Sequence, residues 1–90
     1  MVVAAPTAQL AERRRQVRRF WRSKPAKREQ ATQRGFAAAL KTSTTAINDF
    51  ENRHRDTFPK RPDRPIQPDY ERYLERLEAE VEREKAKAGR

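Results

Sequence analysis

The side chains that could perform chemistry in this sequence are amides, hydroxyls and cations, and their spacing is not typical of catalysis. His54 is the only histidine, and it stands between Arg53 and Arg55 without a second metal ligand at a suitable spacing. The chain has no cysteine, so disulfides and thiolate metal sites are excluded. Its two glycines, Gly35 and Gly89, provide no phosphate-cradling loop. The sequence therefore predicts a protein that is not an enzyme and has no metal or cofactor.

The cations are concentrated at the start of the chain. Residues 1–28 contain nine lysines and arginines and a single acid, Glu12, and the whole chain carries a formal charge of +9. Such a cluster attracts phosphate backbones, anionic lipid surfaces or acidic proteins by a long-range interaction that salt weakens. Only 34% of the residues are apolar and 39% are charged, so the core of this 90-residue chain is expected to be small. These properties favour a protein that acts by binding.

Between residues 32 and 52 the composition changes to alanine, threonine and isolated large apolar residues. Phe36, Leu40, Ile47 and Phe50 recur at helical spacing and are expected to form a core. The run from 41 to 45 is rich in residues that cap helices rather than continue them. The pattern predicts two short helices with a turn at 41–43.

This segment resembles the helix-turn-helix of phage-repressor-like DNA-binding proteins. In that motif a threonine and a glutamine open the first helix, a small residue lies where the helices cross, and a serine caps the second helix. These positions are occupied here by Thr32, Gln33, Ala37 and Ser43. The chain departs from the pattern at Lys41, where the family usually has glycine, and at Thr42, where it usually has an apolar residue.

The resemblance implies a transcriptional-regulator type of protein whose partner is duplex DNA and whose second helix enters the major groove. Contacts to base edges are expected from Ser43, Thr44, Thr45 and Asn48. Contacts to phosphates are expected from Gln33, Arg34, Lys41, Arg53, Arg13, Arg14, Arg15, Arg18, Arg19 and Arg22.

The elements that must position these residues are helical, and the predicted fold class is all-α. We expect three to four short helices with an extended proline-rich segment before a C-terminal amphipathic helix. The four segments are 1–28 (basic N-terminal helix or arm), 29–55 (helix-turn-helix-like core), 56–68 (proline-rich extended linker) and 69–90 (charged amphipathic helix). Pro25 is expected to end the first helix, which spans about residues 9–23, and to start a linker over residues 24–29.

Two of these elements have alternative interpretations. Four prolines fall at every third position from Pro59 to Pro68, which predicts a polyproline II spacer or a ligand for an aromatic groove. The helix over 69–87 carries an apolar stripe that forms either part of the core or a seam with a partner helix, as in a homodimer. The stripe consists of Tyr70, Tyr73, Leu74, Leu77 and Val81.

A second class of function is an accessory subunit of a large assembly, such as a mitochondrial respiratory or ATP synthase complex, or a ribosomal protein. The chain resembles the d subunit of the mitochondrial ATP synthase stalk in Phe36 with Leu40, Ile47-Asn48, Pro65-Ile66, and the acid-aromatic start Asp69-Tyr70 with Tyr73. The aromatic anchors of that interface would be Trp21, Tyr70 and Tyr73.

Under the DNA-binding hypothesis the location is cytoplasmic and nucleoid-associated. The alternative is mitochondrial, because the start of the chain is rich in arginine and poor in acids. No apolar run is long enough for a transmembrane segment.

Overall fold

The computed structural model describes residues 6–88, and these residues form five α-helices and no β-strand. The helices are α1 (Pro6–Phe20), α2 (Pro25–Gln30), α3 (Gln33–Leu40), α4 (Thr44–Arg53) and α5 (Gln67–Ala88). The predicted all-α class and the long C-terminal helix are confirmed, although there are five helices rather than three to four. Residues 1–5 of the predicted N-terminal segment and residues 89–90 of the C-terminal segment lie outside the described residues. No helix within 6–88 has both the length and the apolar character needed to cross a membrane.

One hydrophobic core is shared by side chains from α1, α3, α4, α5 and the segment between α4 and α5. Tyr70 of α5 lies at its centre, with its ring centroid 4.6 Å from that of Phe36 and 4.9 Å from that of Phe50. The four predicted core residues of the 32–52 segment are all buried, which confirms that part of the prediction. They are Phe36, Leu40, Ile47 and Phe50.

The apolar stripe of α5 packs inside this core. Tyr70, Leu74, Leu77 and Val81 are buried against the other helices, and Tyr73 is partly buried at the edge. Because these side chains are already covered by their own chain, the stripe is not a seam for a second copy. The core interpretation of 69–87 is confirmed, and the homodimer through this stripe is wrong.

The segment 24–29, predicted to be a linker, belongs mostly to α2. Pro25 lies in the first turn of this helix, where its fixed φ and missing N–H are compatible with helical geometry. Helix α3 passes so close to the end of α2 that a Cβ on Gly35 would lie 2.3 Å from the carbonyl oxygen of Glu29. Glycine is therefore required at position 35 by a close approach of two backbones.

The proline-rich segment is folded rather than extended, so the polyproline II prediction is wrong. The N–H of Arg61 donates to the carbonyl of Phe58, and the N–H of Arg64 donates to the carbonyl of Arg61, which closes two consecutive turns. Pro59 and Pro62 each follow the first residue of a turn, the position for which the fixed φ of proline is suited. Phe58 and Ile66 are buried at the two ends of the segment and hold it against the core.

Candidate nucleic-acid interface

Helices α3 and α4 are joined by the turn 41–43, as the sequence predicts. The Thr32 hydroxyl accepts a hydrogen bond from the Gly35 N–H at 3.0 Å. The Ser43 hydroxyl accepts one from the Ala46 N–H at 3.1 Å. These bonds satisfy N–H groups that have no partner within the first turn of a helix. Lys41 follows α3 in the left-handed conformation, with φ 58°. Glycine, which the helix-turn-helix pattern usually has at this position, adopts that conformation more easily.

One face of α4 is exposed and carries uncharged polar side chains. Thr44, Thr45 and Asn48 are exposed, as predicted for residues that contact bases. Ser43 is exposed too, but its hydroxyl oxygen is used in capping the helix. The opposite face of α4 is buried through Ala46, Ile47, Phe50 and Glu51. The helix is therefore fixed on one side and presents hydrogen-bonding groups on the other.

A buried ion pair anchors α4 to α1. The Arg14 Nε and Nη2 atoms donate to the two carboxylate oxygens of Glu51 at 2.7 and 3.1 Å, and the two side chains are 7% and 1% exposed. Arg14 also donates to the carbonyl of Ala31 at 3.1 Å. The Tyr70 hydroxyl donates to Glu51 at 2.5 Å, which ties α5 to the same group. A paired, multiply hydrogen-bonded charge of this kind fixes the orientation of the elements that contribute to it.

The protonation states of this cluster follow from its contacts. Burial raises the pKa of Glu51, but hydrogen bonds from Arg14, Tyr70 and Gln33 outweigh burial, so the pKa lies below its ordinary value of 4.5. Burial and the nearby Glu51 carboxylate raise the pKa of the Tyr70 hydroxyl. At neutral pH Glu51 is an anion that only accepts hydrogen bonds, and Tyr70 remains a donor.

A chain of side-chain amides connects this buried cluster to the exposed face of α4. Gln33 Nε2 donates to Glu51 Oε1 at 3.0 Å and to Asn48 Oδ1 at 3.4 Å. Asn52 Nδ2 donates to the same Asn48 oxygen at 2.7 Å. Two of these residues were predicted to touch DNA, whereas Asn52 was not. Its spacing of four residues from Asn48, which places both on one helical face, is the signal that could have found it.

Cations surround the turn between α3 and α4. A cavity of about 340 Å³, which we name the turn groove, is lined by residues 41–43 and 58–61. It brings Lys41, Lys60 and Arg61 beside Ser43 at the start of α4. The sequence predicted only Lys41 as a phosphate ligand here, because the fold of the proline segment that carries the other two cations was not expected.

A second cavity, the basic cleft, adjoins the turn groove at Lys41 and Arg61. Its volume is about 450 Å³, and three more arginines line it together with a single acid, Asp69. Asp69 pairs with Arg64 at 3.0 Å and with Arg72 at 3.8 Å. The additional arginines are Arg64, Arg72 and Arg76. The two cavities together form a continuous positive surface that leads away from the start of α4.

Two of the predicted phosphate ligands do not have the geometry for that role. Arg14 is 6% exposed, because it lies on the inward, apolar face of α1 and forms an ion pair with Glu51. The prediction that Arg14 contacts a phosphate is therefore wrong. Gln33 is partly buried, and its amide nitrogen donates to Glu51 and Asn48. Its two hydrogens are therefore used within the protein, which leaves none to donate to a phosphate.

The other predicted phosphate ligands differ in how they are paired. Arg13 binds Glu78 at 2.6 Å, and Arg15 and Arg19 lie 3.0 and 3.5 Å from Glu12. Arg53 lies 3.9 Å from Asp49. Exposed ion pairs are weak, so these arginines still contribute positive charge. Within residues 6–88, four predicted ligands are exposed and form no salt bridge: Arg18, Arg22, Arg34 and Lys41.

The aromatic residues predicted to anchor a partner protein are mostly core. Trp21 is 5% exposed and Tyr70 is fully buried, so both predictions are wrong. Tyr73 is partly buried, and its hydroxyl donates to the carbonyl of Gln30 at 3.2 Å. Phe20 is the large apolar side chain that the described part of the chain exposes, at 37%.

His54 ends α4 in the left-handed conformation, and its Nδ1 is hydrogen-bonded to the Thr7 hydroxyl. Residues 6–88 contain no group of three or more histidine, cysteine, aspartate or glutamate side chains placed to hold a metal ion. Comparisons of the chain with protein-family models, with curated proteins and with solved structures found no match.

Proposed function

We propose that this protein binds duplex DNA through a helix-turn-helix formed by α3 and α4, and that it acts as a transcriptional regulator. In this proposal α4 lies in the major groove with Thr44, Thr45 and Asn48 facing the base edges. The observation that carries the proposal is the asymmetry of α4. Its inner face is locked by the buried Glu51 cluster, and its outer face presents uncharged hydrogen-bonding groups between clusters of cations.

The cations support the same orientation. The turn groove places Lys41, Lys60 and Arg61 at the N-terminal end of α4, where the helix dipole also favours an anion. Arg34 near the start of α3 and Arg53 at the end of α4 are exposed. A helix lying in the major groove has a phosphate backbone on either side, and these cations flank α4 where such backbones would run.

The accessory-subunit hypothesis receives less support from the side chains. It relied on Trp21, Tyr70 and Tyr73 as surface anchors, and the first two are buried in the core. Interface hot spots are usually aromatic or arginine side chains that a partner can cover. Phe20 is a single exposed aromatic residue and does not form a cluster of hot-spot side chains by itself.

Enrichment of bound sequences from a random duplex library, followed by titrations, tests the proposal. We expect one sequence class to be enriched. The Asn48→Ala variant should bind that class more weakly by about 1–3 kcal/mol while its affinity for random DNA stays nearly unchanged. The matched control is Gln16→Ala, an exposed residue of α1 away from α4, which should change neither affinity. If no sequence is enriched and binding does not weaken with salt, the DNA-binding proposal fails.

A further inference from the structure

The buried Glu51 carboxylate determines how the exposed amides of α4 are oriented. A carboxylate anion accepts hydrogen bonds and donates none. Arg14 and Tyr70 hold this carboxylate in place, and its Oε1 atom faces the Gln33 side chain at 3.0 Å. Gln33 must therefore turn its amide nitrogen, and not its oxygen, toward Glu51.

The second hydrogen of the Gln33 amide orients the side chain of Asn48 at the surface. It points at Asn48 Oδ1, 3.4 Å from the nitrogen, and Asn52 Nδ2 donates to the same oxygen at 2.7 Å. An amide oxygen has two lone pairs, so these two donors occupy the acceptor capacity of Asn48. Asn48 is left with its NH₂ group directed outward, and Asn52 is left with its carbonyl oxygen directed outward. Within residues 6–88 neither outward group takes part in a side-chain hydrogen bond.

We infer that the DNA-facing surface of α4 is polarised, with a hydrogen-bond donor at Asn48 and an acceptor at Asn52, and that this polarity sets base preference. The inference rests on the proposed DNA-binding function. In the major groove guanine presents two neighbouring acceptors, N7 and O6, which the two hydrogens of Asn48 Nδ2 can bridge. Asparagine reads adenine bidentately through both its oxygen and its nitrogen, and the oxygen of Asn48 is already used. Asn48 therefore selects guanine over adenine.

Asn52 completes the recognised pattern. Its outward oxygen accepts from an amino group, which cytosine presents at N4 and adenine at N6. Asn48 and Asn52 are one helical turn apart, about 6 Å along the axis, which corresponds to one or two base-pair steps. The expected site thus contains a guanine and, one or two steps away, a cytosine or adenine on the strand that faces Asn52.

The orientation itself is tested without DNA, by solvent exchange of the side-chain amide protons in NMR spectra of the full chain. The Gln33 amide protons are expected to exchange slowly, because both are hydrogen-bonded, and the Asn48 amide protons are expected to exchange fast. Fast exchange at Gln33 with slow exchange at Asn48 overturns the inference, whatever the protein binds.

Base preference is tested by enrichment with the wild type and with a Gln33→Met/Asn52→Ala variant, which removes both donors to Asn48. The wild type should prefer guanine over adenine by about tenfold at one position. In the double variant Asn48 is free to turn, and adenine should become the preferred base there. Asn48→Ala should abolish preference at that position alone, and Gln16→Met serves as the matched surface control.

The outcomes separate the two proposals. Enrichment of a site in which the wild type prefers adenine at the Asn48 position, or in which the double variant leaves guanine preferred, overturns the polarity inference while DNA binding stands. If no variant enriches any sequence and binding does not weaken with salt, the proposed function and the base preference both fail, while the amide exchange still supports or overturns the orientation of the Asn48 and Gln33 amides.

Discussion

Two basic regions of the molecule differ in how their charges are used. Residues 13–22 of the chain contain six arginines. Four of them contact carboxylates within the protein, namely Arg13, Arg14, Arg15 and Arg19. The turn groove has only three cations, Lys41, Lys60 and Arg61, and none of these has a salt-bridge partner among residues 6–88.

The difference shows that net charge along a sequence does not locate the cations that have no carboxylate partner in the folded chain. Arg13 of α1, Lys24 just before α2 and Lys27 of α2 are neutralised in part by carboxylates of α5, in the pairs Arg13–Glu78, Lys24–Glu84 and Lys27–Glu80. The turn groove carries fewer cations but adjoins the polar face of α4. Under the proposed DNA-binding function, the smaller cluster is therefore the one that would contact a phosphate backbone beside α4.

The comparison is sharpest for two arginines one turn apart in α1. Arg14→Ala should destabilise the fold by about 3–5 kcal/mol, because it leaves the Glu51 carboxylate buried without its charged partner. Arg18→Ala, the matched control at an exposed position, should change stability by less than about 0.5 kcal/mol. Chemical denaturation of both variants measures the difference, and equal midpoints would show that Arg14 is not a structural residue.

The same cluster predicts how stability depends on pH. The pKa of Glu51 in the folded protein lies below its ordinary value of 4.5, so its contribution is complete above that pH. It is lost as the pH falls through the lower, folded-state pKa. Denaturation midpoints measured from pH 7 down to pH 3 should fall more steeply for the wild type than for Glu51→Gln. Parallel curves would mean that Glu51 does not titrate with a lowered pKa.

Helical periodicity and capping residues were sufficient to predict the two short helices of residues 32–52 and the turn between them. Thr32 and Ser43 each cap a helix, and Phe36, Ile47 and Phe50 are buried as expected, because these features depend on neighbours in sequence. The Arg14–Glu51 pair joins residues 37 positions apart and could not be derived from local pattern. One indication was present: Arg14 stands on the stripe defined by Leu10, Val17 and Trp21, the inward face of α1.

The proline segment was predicted wrongly because its spacing fits two structures. Prolines at every third position share a face of a polyproline II helix, and they also suit the second position of consecutive turns. Burial of Phe58 and Ile66 decides between them, and it depends on the core that the rest of the chain builds. The turn groove could not be predicted for the same reason, since Lys60 and Arg61 reach it only in the folded arrangement.

Binding measurements at different salt concentrations would test the functional side of the comparison. Replacing Lys60 and Arg61 together by alanine should lower the log-log salt slope of DNA binding by about 2, if each cation engages one phosphate. The matched control replaces Arg15 and Arg19, which contact Glu12, and should lower the slope by less. A larger change for the α1 pair would assign phosphate binding to α1 and contradict the role of the turn groove.

The smallest expected effect concerns the two residues with left-handed backbone conformations, one in the turn groove and one at the end of α4. Lys41 and His54 both adopt left-handed conformations, with φ of 58° and 57°. This conformation destabilises the folded state by about 1 kcal/mol or more for a residue that has a Cβ. Replacement by glycine removes that strain, but it also raises the entropy of the unfolded chain, which offsets part of the gain in stability. Lys41→Gly should therefore raise stability by less than about 1 kcal/mol. It should also weaken binding to specific and random DNA alike, because it removes a phosphate contact and no base contact.

His54→Gly should relieve similar backbone strain, offset by loss of the hydrogen bond to Thr7, with no change in DNA affinity. Paired melts and titrations of the two variants would then show whether the lysine is retained in a strained conformation for its charge. If Lys41→Gly gains stability without losing DNA affinity, Lys41 has no role in binding.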